Sequence, residues 1–325
     1  MRIISIEDHF TTAMVVENTP PPTAAWKTQS DDISVRLGHD LGAELRDLGD
    51  SRIAAMDAAG IDVQVISFTQ PGCQGFGPET AIPLARDAND RMSEAVQSHP
   101  DRFAAFAALP TDSPAESVKE LERAVKRLGL KGALINGPSR GSFLDDRKYW
   151  DIFACAESLD VPIYLHPASV LPQVMTAYFD GFPELSSAPW GFTIETGVHF
   201  LRLVFSGVFD AYPKLKIMVG HLGEALPFLM HRINMHTDHA AARRGLKKTP
   251  MQYLRDHLIV TTSGNFFTPA FLCTYMALGA EQILFSVDWP YENNATATEF
   301  LRGLPISEQD KEKVAHLNAE RLLRL

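Results

Sequence analysis

The sequence predicts a (β/α)8 barrel that occupies residues 1–325 as one domain. Eight short apolar runs stand along the chain, at residues 2–6, 62–68, 103–109, 130–135, 161–165, 215–219, 258–262 and 283–287. Most are apolar on both faces, as parallel strands covered on two sides are. Amphipathic stretches alternate with them, which is the strand–helix order of a barrel. An open doubly wound sheet shares that order, but no GxGxxG or GxxxxGK[ST] phosphate loop follows any run.

Taken in order, the first run leads into Glu7, Asp8 and His9, and a helix is expected at 51–59. Asp50 or Ser51 can cap that helix and Gly60 can stop it. Further helices are expected at 79–98, 114–128, 146–159, 193–211, 224–236, 269–278 and 307–323. Gly129, Pro213 and Gly279 stand where three of these should stop. Two connections exceed ordinary loop length, 11–50 after the first strand and 167–190 after the fifth. Both leave C-terminal strand ends, where a barrel keeps its active site, so both are expected to form lids or pocket walls. Pro20, Pro21 and Pro22 stiffen part of the first.

Composition narrows the function. The 325 residues are 45% apolar, enough for a large core without disulfide or metal staples. Lys plus Arg is 30 against 40 for Asp plus Glu, a net charge of −10. That balance argues against nucleic-acid and anionic-membrane partners, which need positive patches. Cys73, Cys155 and Cys273 form no CxxC or Cys/His knuckle, so they are expected as reduced thiols. The apolar stretch Ile3, Ile4, Ile6 is cut off by Glu7, short of the roughly 7–15 apolar residues of a signal peptide. No run approaches the roughly 20 apolar residues of a membrane span. A cytoplasmic protein is expected.

The chemistry is expected at the C-terminal strand ends. Glu7 and His9 close strand 1 on one face, because side chains alternate, with Asp8 facing away. His166 closes strand 5, His221 and Glu224 follow strand 6, and Asp288 follows strand 8. An ionisable residue that ends an apolar strand is costly to bury unless paired or metal-bound. Each alone reads as a hydrogen-bonded core or rim residue; together at one rim they form a site for one divalent ion. Imidazole suits Zn, Mn, Fe, Co or Ni, and without thiolates nothing selects a soft metal. His236 and His239, three residues apart, lie in a polar stretch with His231 and read as a solvated helix end. His39, His99, His199, His257 and His316 lack a strand-end position, and Lys247-Lys248 is too short for a nucleic-acid patch. Ser263-Gly264-Asn265 reads as rim polarity. Trp190, Tyr291 and Phe10, aromatic and near strand ends, are candidate walls of a flat aromatic pocket.

Glu7-x-His9, His166-Pro167, residues 219–224 and residues 285–292 resemble the amidohydrolase superfamily. They are most similar to its decarboxylase branch, which includes aminocarboxymuconate semialdehyde decarboxylase and the γ-resorcylate and dihydroxybenzoate decarboxylases. The resemblance spans nearly the whole chain, is strongest from about 162 to 292, and is poor between 11 and 48. It implies that Glu7, His9, His166 and Asp288 bind one divalent metal ion per chain (Zn, Mn or Mg). It also implies that His221 is the active-site histidine, Glu224 its partner, and Arg232 the family's arginine on the following helix. Leu134-Ile135-Asn136-Gly137 offers no lysine to bridge two metals, which favours one. Many members carry Glu-Glu at strand 1; Asp8 replaces the second, on the face turned away.

The implied activity is reversible, non-oxidative decarboxylation of an ortho-hydroxybenzoate such as 2,6- or 2,3-dihydroxybenzoate or salicylate. In that chemistry the ring carbon is protonated before carbon dioxide leaves, with the ortho phenolate as electron source. Asp288 is the expected proton donor, with His221 the alternative. The resemblance also implies a homodimer or homotetramer. A hydrolase or hydratase using metal-activated water on a small carboxylate could employ the same ligands, and water consumption separates the two. A metal-binding scaffold without turnover is the third reading, against which the catalytic residue types at the strand ends argue.

Overall fold

The computed structural model describes residues 1–19 and 24–325, except for the side chains of residues 24–29. The Pro20–Pro22 run lies outside the described residues.

The strands are β1 Ile4–Phe10, β2 Val63–Phe68, β3 Phe103–Ala105, β4 Ala107–Ala108, β5 Ala133–Asn136, β6 Ile163–His166, β7 Ile217–Val219, β8 Leu258–Thr261 and β9 Ile283–Leu284. All pair in parallel, in the orders β1-β2-β3 and β4-β5-β6-β7-β8-β9. Two seams join these into one ring. At Phe106 the chain passes directly from β3 to β4, with Phe106 N donating to Ile66 O at 3.0 Å and Ala107 N to Gly132 O at 2.8 Å. On the other side, the extension of β9 reaches β1, where Asp288 N donates to Glu7 O at 2.9 Å and His9 N to Trp289 O at 2.6 Å. β3 and β4 thus share one staff, and eight staves close the barrel that the sequence predicts.

The helices run α1 Ala13–Asn18, α2 Ala24–Leu37, α3 Leu41–Arg46, α4 Asp50–Ala59, α5 Pro78–Ser98, α6 Pro114–Lys126, α7 Trp150–Leu159, α8 Pro172–Tyr178, α9 Gly191–Ser206, α10 Val208–Ala211, α11 Leu226–Arg243, α12 Pro250–His257, α13 Thr268–Leu278, α14 Asn294–Gly303, α15 Glu308–Glu312 and α16 Asn318–Leu323. The eight expected helices are present, with shifted ends. The one expected at 193–211 breaks at Gly207, whose φ of 83° no right-handed helix accommodates. The one expected from 224 begins at Leu226.

The two long connections correct the sequence reading, for they are helical. Residues 11–50 carry α1, α2 and α3, started in part by side-chain caps from Thr12 and Asp40. Six-residue helices such as α1 and α3 give too little periodicity to separate from a loop. The 167–190 connection carries α8 and a single 3₁₀ turn at Pro183–Leu185. Fully buried Arg52 on α4 fastens the first insertion to the barrel. Its guanidinium donates to the carbonyls of His9 at 2.5 Å, Asp47 at 2.8 Å and Glu44 at 3.3 Å.

Side chains inside the ring include Ile4, Ile6, Val63, Val65, Phe106, Leu134, Tyr164 and Met218, with Ala319 and Leu323 of α16 packed against them. A larger apolar layer lies between strands and helices and contains Ile3 and Phe10. Simple alternation from Ile4 and Ile6 would turn Glu7 and His9 outward. A register shift between Ser5 and Asp8 reverses the alternation, as a bulge does, and re-aims both inward. Asp8 and Phe10 consequently face outward. No helix among the described residues is long and apolar enough to cross a membrane.

Candidate metal centre

One ligand atom each from Glu7, His9, His166 and Asp288 falls within 4.8 Å of the other three. His166 Nε2 is 3.2 Å from Glu7 Oε1, and His9 Nε2 is 3.2 Å from Asp288 Oδ1 and 3.8 Å from Glu7 Oε1. Glu7 Oε1, His9 Nε2 and Asp288 Oδ1 are buried and make no hydrogen bond. Such atoms carry a desolvation penalty unless something pairs them. Two imidazole nitrogens and two carboxylate oxygens converging on one point fit a divalent ion of borderline hardness.

The surrounding hydroxyls fix the orientation of these donors. Glu7 Oε2 accepts from Tyr164 and Ser263, and from Thr261 Oγ1 at 3.3 Å, which leaves Oε1 for the centre. Burial pushes the Glu7 carboxyl up, but the facing imidazoles of His166 and His9 outweigh it and hold the group well below the usual range. Burial and the Glu7 charge push Tyr164 far up, so its phenol stays a donor. His9 Nδ1 lies 3.1 Å from Ser67 Oγ, turning Nε2 inward. Burial opposes the charged form of His9, yet Asp288 and Glu7 raise it to about 9. Gly220 leaves the room: a Cβ there would sit 2.9 Å from both Glu7 Oε2 and the Tyr164 hydroxyl.

His221 and Glu224 occupy the next ring of contacts. His221 Nδ1 is 2.7 Å from Glu224 Oε1, and Nε2 is 3.6 Å from Asp288 Oδ2. Thr193 Oγ1 holds the other Glu224 oxygen at 2.7 Å. Burial lowers the His221 pKa, but Glu224 and Asp288 prevail and raise it well above the ordinary value. His221, Leu222, Glu224 and Ala225 all have positive φ, as does Asp288 at 79°. Non-glycine residues held there cost about 1–3 kcal/mol each and concentrate at functional positions.

A cavity of about 620 Å3 opens at this point, with Asp288, His221 and Glu224 in its wall together with Trp190, Phe192, Phe228 and Phe267. Trp190 therefore stands where a pocket wall was expected. Tyr291 packs edge-on to His9, with ring centroids 5.7 Å apart, and its hydroxyl is 2.7 Å from Thr69 Oγ1. Phe10 is a correction: it is buried against Phe68, because alternation puts it on the outward face with Asp8. Arg232 lies on the helix after β7, as expected, exposed on α11 and outside the lining of its own chain's cavity. Asp8 stays outside the donor group, its Oδ1 accepting from Trp289 N at 3.2 Å, and burial raises its pKa to about 7. His231, His236 and His239 are exposed on α11. Sequence reading overlooked Tyr164, Thr261, Ser67 and Thr193. A hydroxyl near a strand end is too common a feature to stand out before the ring closes.

Four such donors at the C-terminal rim of a closed (β/α)8 barrel define the class of metal-dependent barrel enzymes. Within that class the chain belongs to the amidohydrolase family, whose model matches residues 32–325. It is similar to a gamma-resorcylate decarboxylase from Rhizobium radiobacter, 38% identical over 337 aligned positions that cover 99% of this chain and 98% of the other. Among solved structures it is similar to a dihydroxybenzoic acid decarboxylase from Polaromonas sp. JS666 with bound manganese and the inhibitor 2-nitroresorcinol. That match has a TM-score of 0.88, 37% identity and coverage of 100% of this chain and 97% of the other. A 5-carboxyvanillate decarboxylase from Sphingomonas paucimobilis matches with a TM-score of 0.91 at 34% identity, covering 100% of this chain and 99% of that one.

Proposed function

We propose that this chain is a divalent-metal-dependent carboxy-lyase that removes carbon dioxide, reversibly and without oxidation, from an ortho-hydroxybenzoate such as 2,6-dihydroxybenzoate. The observation that carries this reading is the convergence of Glu7, His9, His166 and Asp288 within 4.8 Å beside a cavity walled by aromatic rings. Full-length similarity to decarboxylases of such acids, one of them holding manganese, supports it.

When bound, the ion supplies Lewis-acid charge toward the phenolate and carboxylate oxygens of the substrate. The remaining work falls to side chains. Asp288, whose Oδ2 faces both the cavity and His221 Nε2, delivers a proton to the ring carbon that bears the carboxylate. The carbon–carbon bond then breaks, its electron pair restores the aromatic ring, and carbon dioxide leaves. His221 returns a proton to Asp288. Glu224 orients His221 through Nδ1 and favours its charged form, and Thr193 holds Glu224 in place. Trp190 flanks the substrate ring, and Tyr291 backs His9.

The reading places this activity in one domain of residues 1–325. It includes a homodimer or homotetramer, for which the exposed Phe228, Leu229 and Met235 of α11 give apolar surface, and a cytoplasmic location, which suits three free cysteines. A panel of hydroxybenzoates followed by carbon dioxide release, with metal content measured on the same sample, tests it. Turnover that consumes water and releases no carbon dioxide would instead make the chain a hydrolase or hydratase.

A further inference from the structure

The two imidazoles of the metal centre are held differently. His9 has Ser67 Oγ 3.1 Å from its Nδ1, whereas the Nδ1 of His166 is buried and has no hydrogen-bond partner among the described residues. A metal-binding imidazole is ordinarily aimed through its second nitrogen. For His166 the aim has to come from the backbone that carries it.

That backbone is clamped on both sides. Gly137 N, just past β5, donates to His166 O at 2.9 Å. Pro167 has no N–H, so Ala168 carries the first amide beyond His166 that can donate. It donates to the carboxyl of Glu195 on α9, a side chain 5% exposed whose Oε2 also accepts from Thr196 Oγ1 at 3.4 Å. The three parts meet closely. A Cβ on Gly137, whose φ is 64°, would stand 2.7 Å from the Ala168 Cβ and 3.5 Å from Glu195 Oε2. α9 is itself fixed here, since buried His199 accepts from Leu144 N through Nε2 at 3.1 Å.

We infer that Glu195 is a positioning residue for the metal centre: by accepting the Ala168 amide it fixes the turn that leaves β6, and so aims His166 Nε2 at the ion. This rests on the reading of Glu7, His9, His166 and Asp288 as metal ligands. Two residues earlier on α9, Thr193 holds Glu224, the partner of His221, at 2.7 Å. One turn of helix thus sets a metal ligand and the neighbouring imidazole relative to each other. Glu195 acts here through an acceptor oxygen. A neutral amide can replace it, and a thioether of similar size, a weak acceptor, cannot.

The test compares wild type, Glu195→Gln, Glu195→Met, Gly137→Ala and His166→Ala. Manganese dissociation constants are measured by competition with a chelator, visible absorption is recorded on cobalt(II)-loaded protein, and circular dichroism checks the fold. Glu195→Met fills the same space without the acceptor, so manganese should bind about 10–100-fold more weakly and the cobalt bands should shift, while Glu195→Gln stays within about threefold of wild type. Gly137→Ala pushes Ala168 from Glu195 without altering the carboxyl and should weaken manganese in the same direction. Glu195→Met within about threefold of wild type while His166→Ala loses the metal overturns this inference alone, and Gly137→Ala decides it in the same way where Glu195→Met does not fold. Glu195→Gln as weak as Glu195→Met also overturns it. Manganese retained by His166→Ala overturns the ligand reading and this inference with it.

Discussion

His221 presents Nδ1 to Glu224 Oε1 at 2.7 Å and Nε2 to Asp288 Oδ2 at 3.6 Å, so one imidazole spans the gap between a buried carboxylate and the rim of the metal centre. Its nitrogens are thereby engaged beside the four-donor group rather than in it. His221→Asn should keep most of the bound metal and lose turnover by at least about 100-fold. Glu224→Gln should act in the same direction with a smaller loss, since it removes the orienting charge and keeps the shape. Metal analysis beside rate measurement checks this; metal loss in His221→Asn equal to that of His166→Ala would make His221 a ligand.

Metal content itself is the second prediction. Three buried donor atoms without hydrogen bonds, from Glu7, His9 and Asp288, are satisfied together by one cation. The purified protein should hold close to one equivalent of divalent metal per chain. Chelation should lower its melting temperature, because an ion that binds the folded chain stabilises it in proportion to the logarithm of its concentration over Kd. His166→Ala should lose most of the metal and most of that stabilisation. Full activity after exhaustive chelation, at negligible metal content, would refute the assignment.

Gly220 is the third test. A methyl there meets Glu7 Oε2 and the Tyr164 hydroxyl at 2.9 Å and Ser263 Oγ at 3.1 Å, all of them buried. None of these groups is the free end of a long flexible side chain. Gly220→Ala should therefore displace Glu7, weakening metal binding at least about tenfold while the circular dichroism spectrum stays that of the folded barrel. Unchanged metal affinity would show that the Glu7 hydroxyl cradle does not fix the ligand.

The barrel was legible because its strands are buried on both faces and leave uninterrupted apolar runs. The six side chains that gather at the rim, Glu7, His9, His166, His221, Glu224 and Asp288, were legible because charge at an apolar strand's end is conspicuous. What depends on the closed ring was not. Phe10 looked like a pocket wall until the shift between Ser5 and Asp8 set its direction. Tyr164 looked like an ordinary strand residue until closure brought it to Glu7, 157 positions away in sequence. The insertion at 11–50 was hidden because helices of six residues, such as α1 and α3, are held by caps and by Arg52 more than by any periodic pattern.

Glu195 gives a prediction about stability and pH. Burial raises its pKa from an ordinary 4.5 to about 8, and its Oε1 has no hydrogen-bond partner. Between those values the unfolded chain releases the proton and the folded chain keeps it. The protonated group thus contributes fully at low pH, and stability is lost as pH rises toward 8. Glu195→Gln cannot ionise and should escape this loss. The melting temperature of the wild type, relative to the variant, should fall by at least about 4 °C between pH 5 and pH 8. A difference that stays constant over that interval would mean the carboxyl ionises as freely folded as unfolded.

The last prediction tests the mechanism through the substrate. Ring protonation by Asp288 requires electron density at the carbon that bears the carboxylate. Both ortho and para hydroxyls can supply it through the ring, so electronics alone would not separate the two isomers. Geometry does. An ortho hydroxyl lies beside the carboxylate, so both oxygens could be held by a cation bound at Glu7, His9, His166 and Asp288, whereas a para hydroxyl points to the far end of the cavity. A buried polar site left unpaired discriminates by roughly 10⁴-fold or more. Salicylate-type acids should therefore be turned over, and 4-hydroxybenzoate should be inert at that level. Microscopic reversibility extends the argument: concentrated bicarbonate and the matching phenol should yield carboxylation ortho to the hydroxyl and nowhere else. Trp190→Ala should change which ring substituents are accepted more than it changes the ortho rule. Comparable rates on 2- and 4-hydroxybenzoate, or a para-carboxylated product in the reverse direction, would show that the two oxygens are not held together during the reaction.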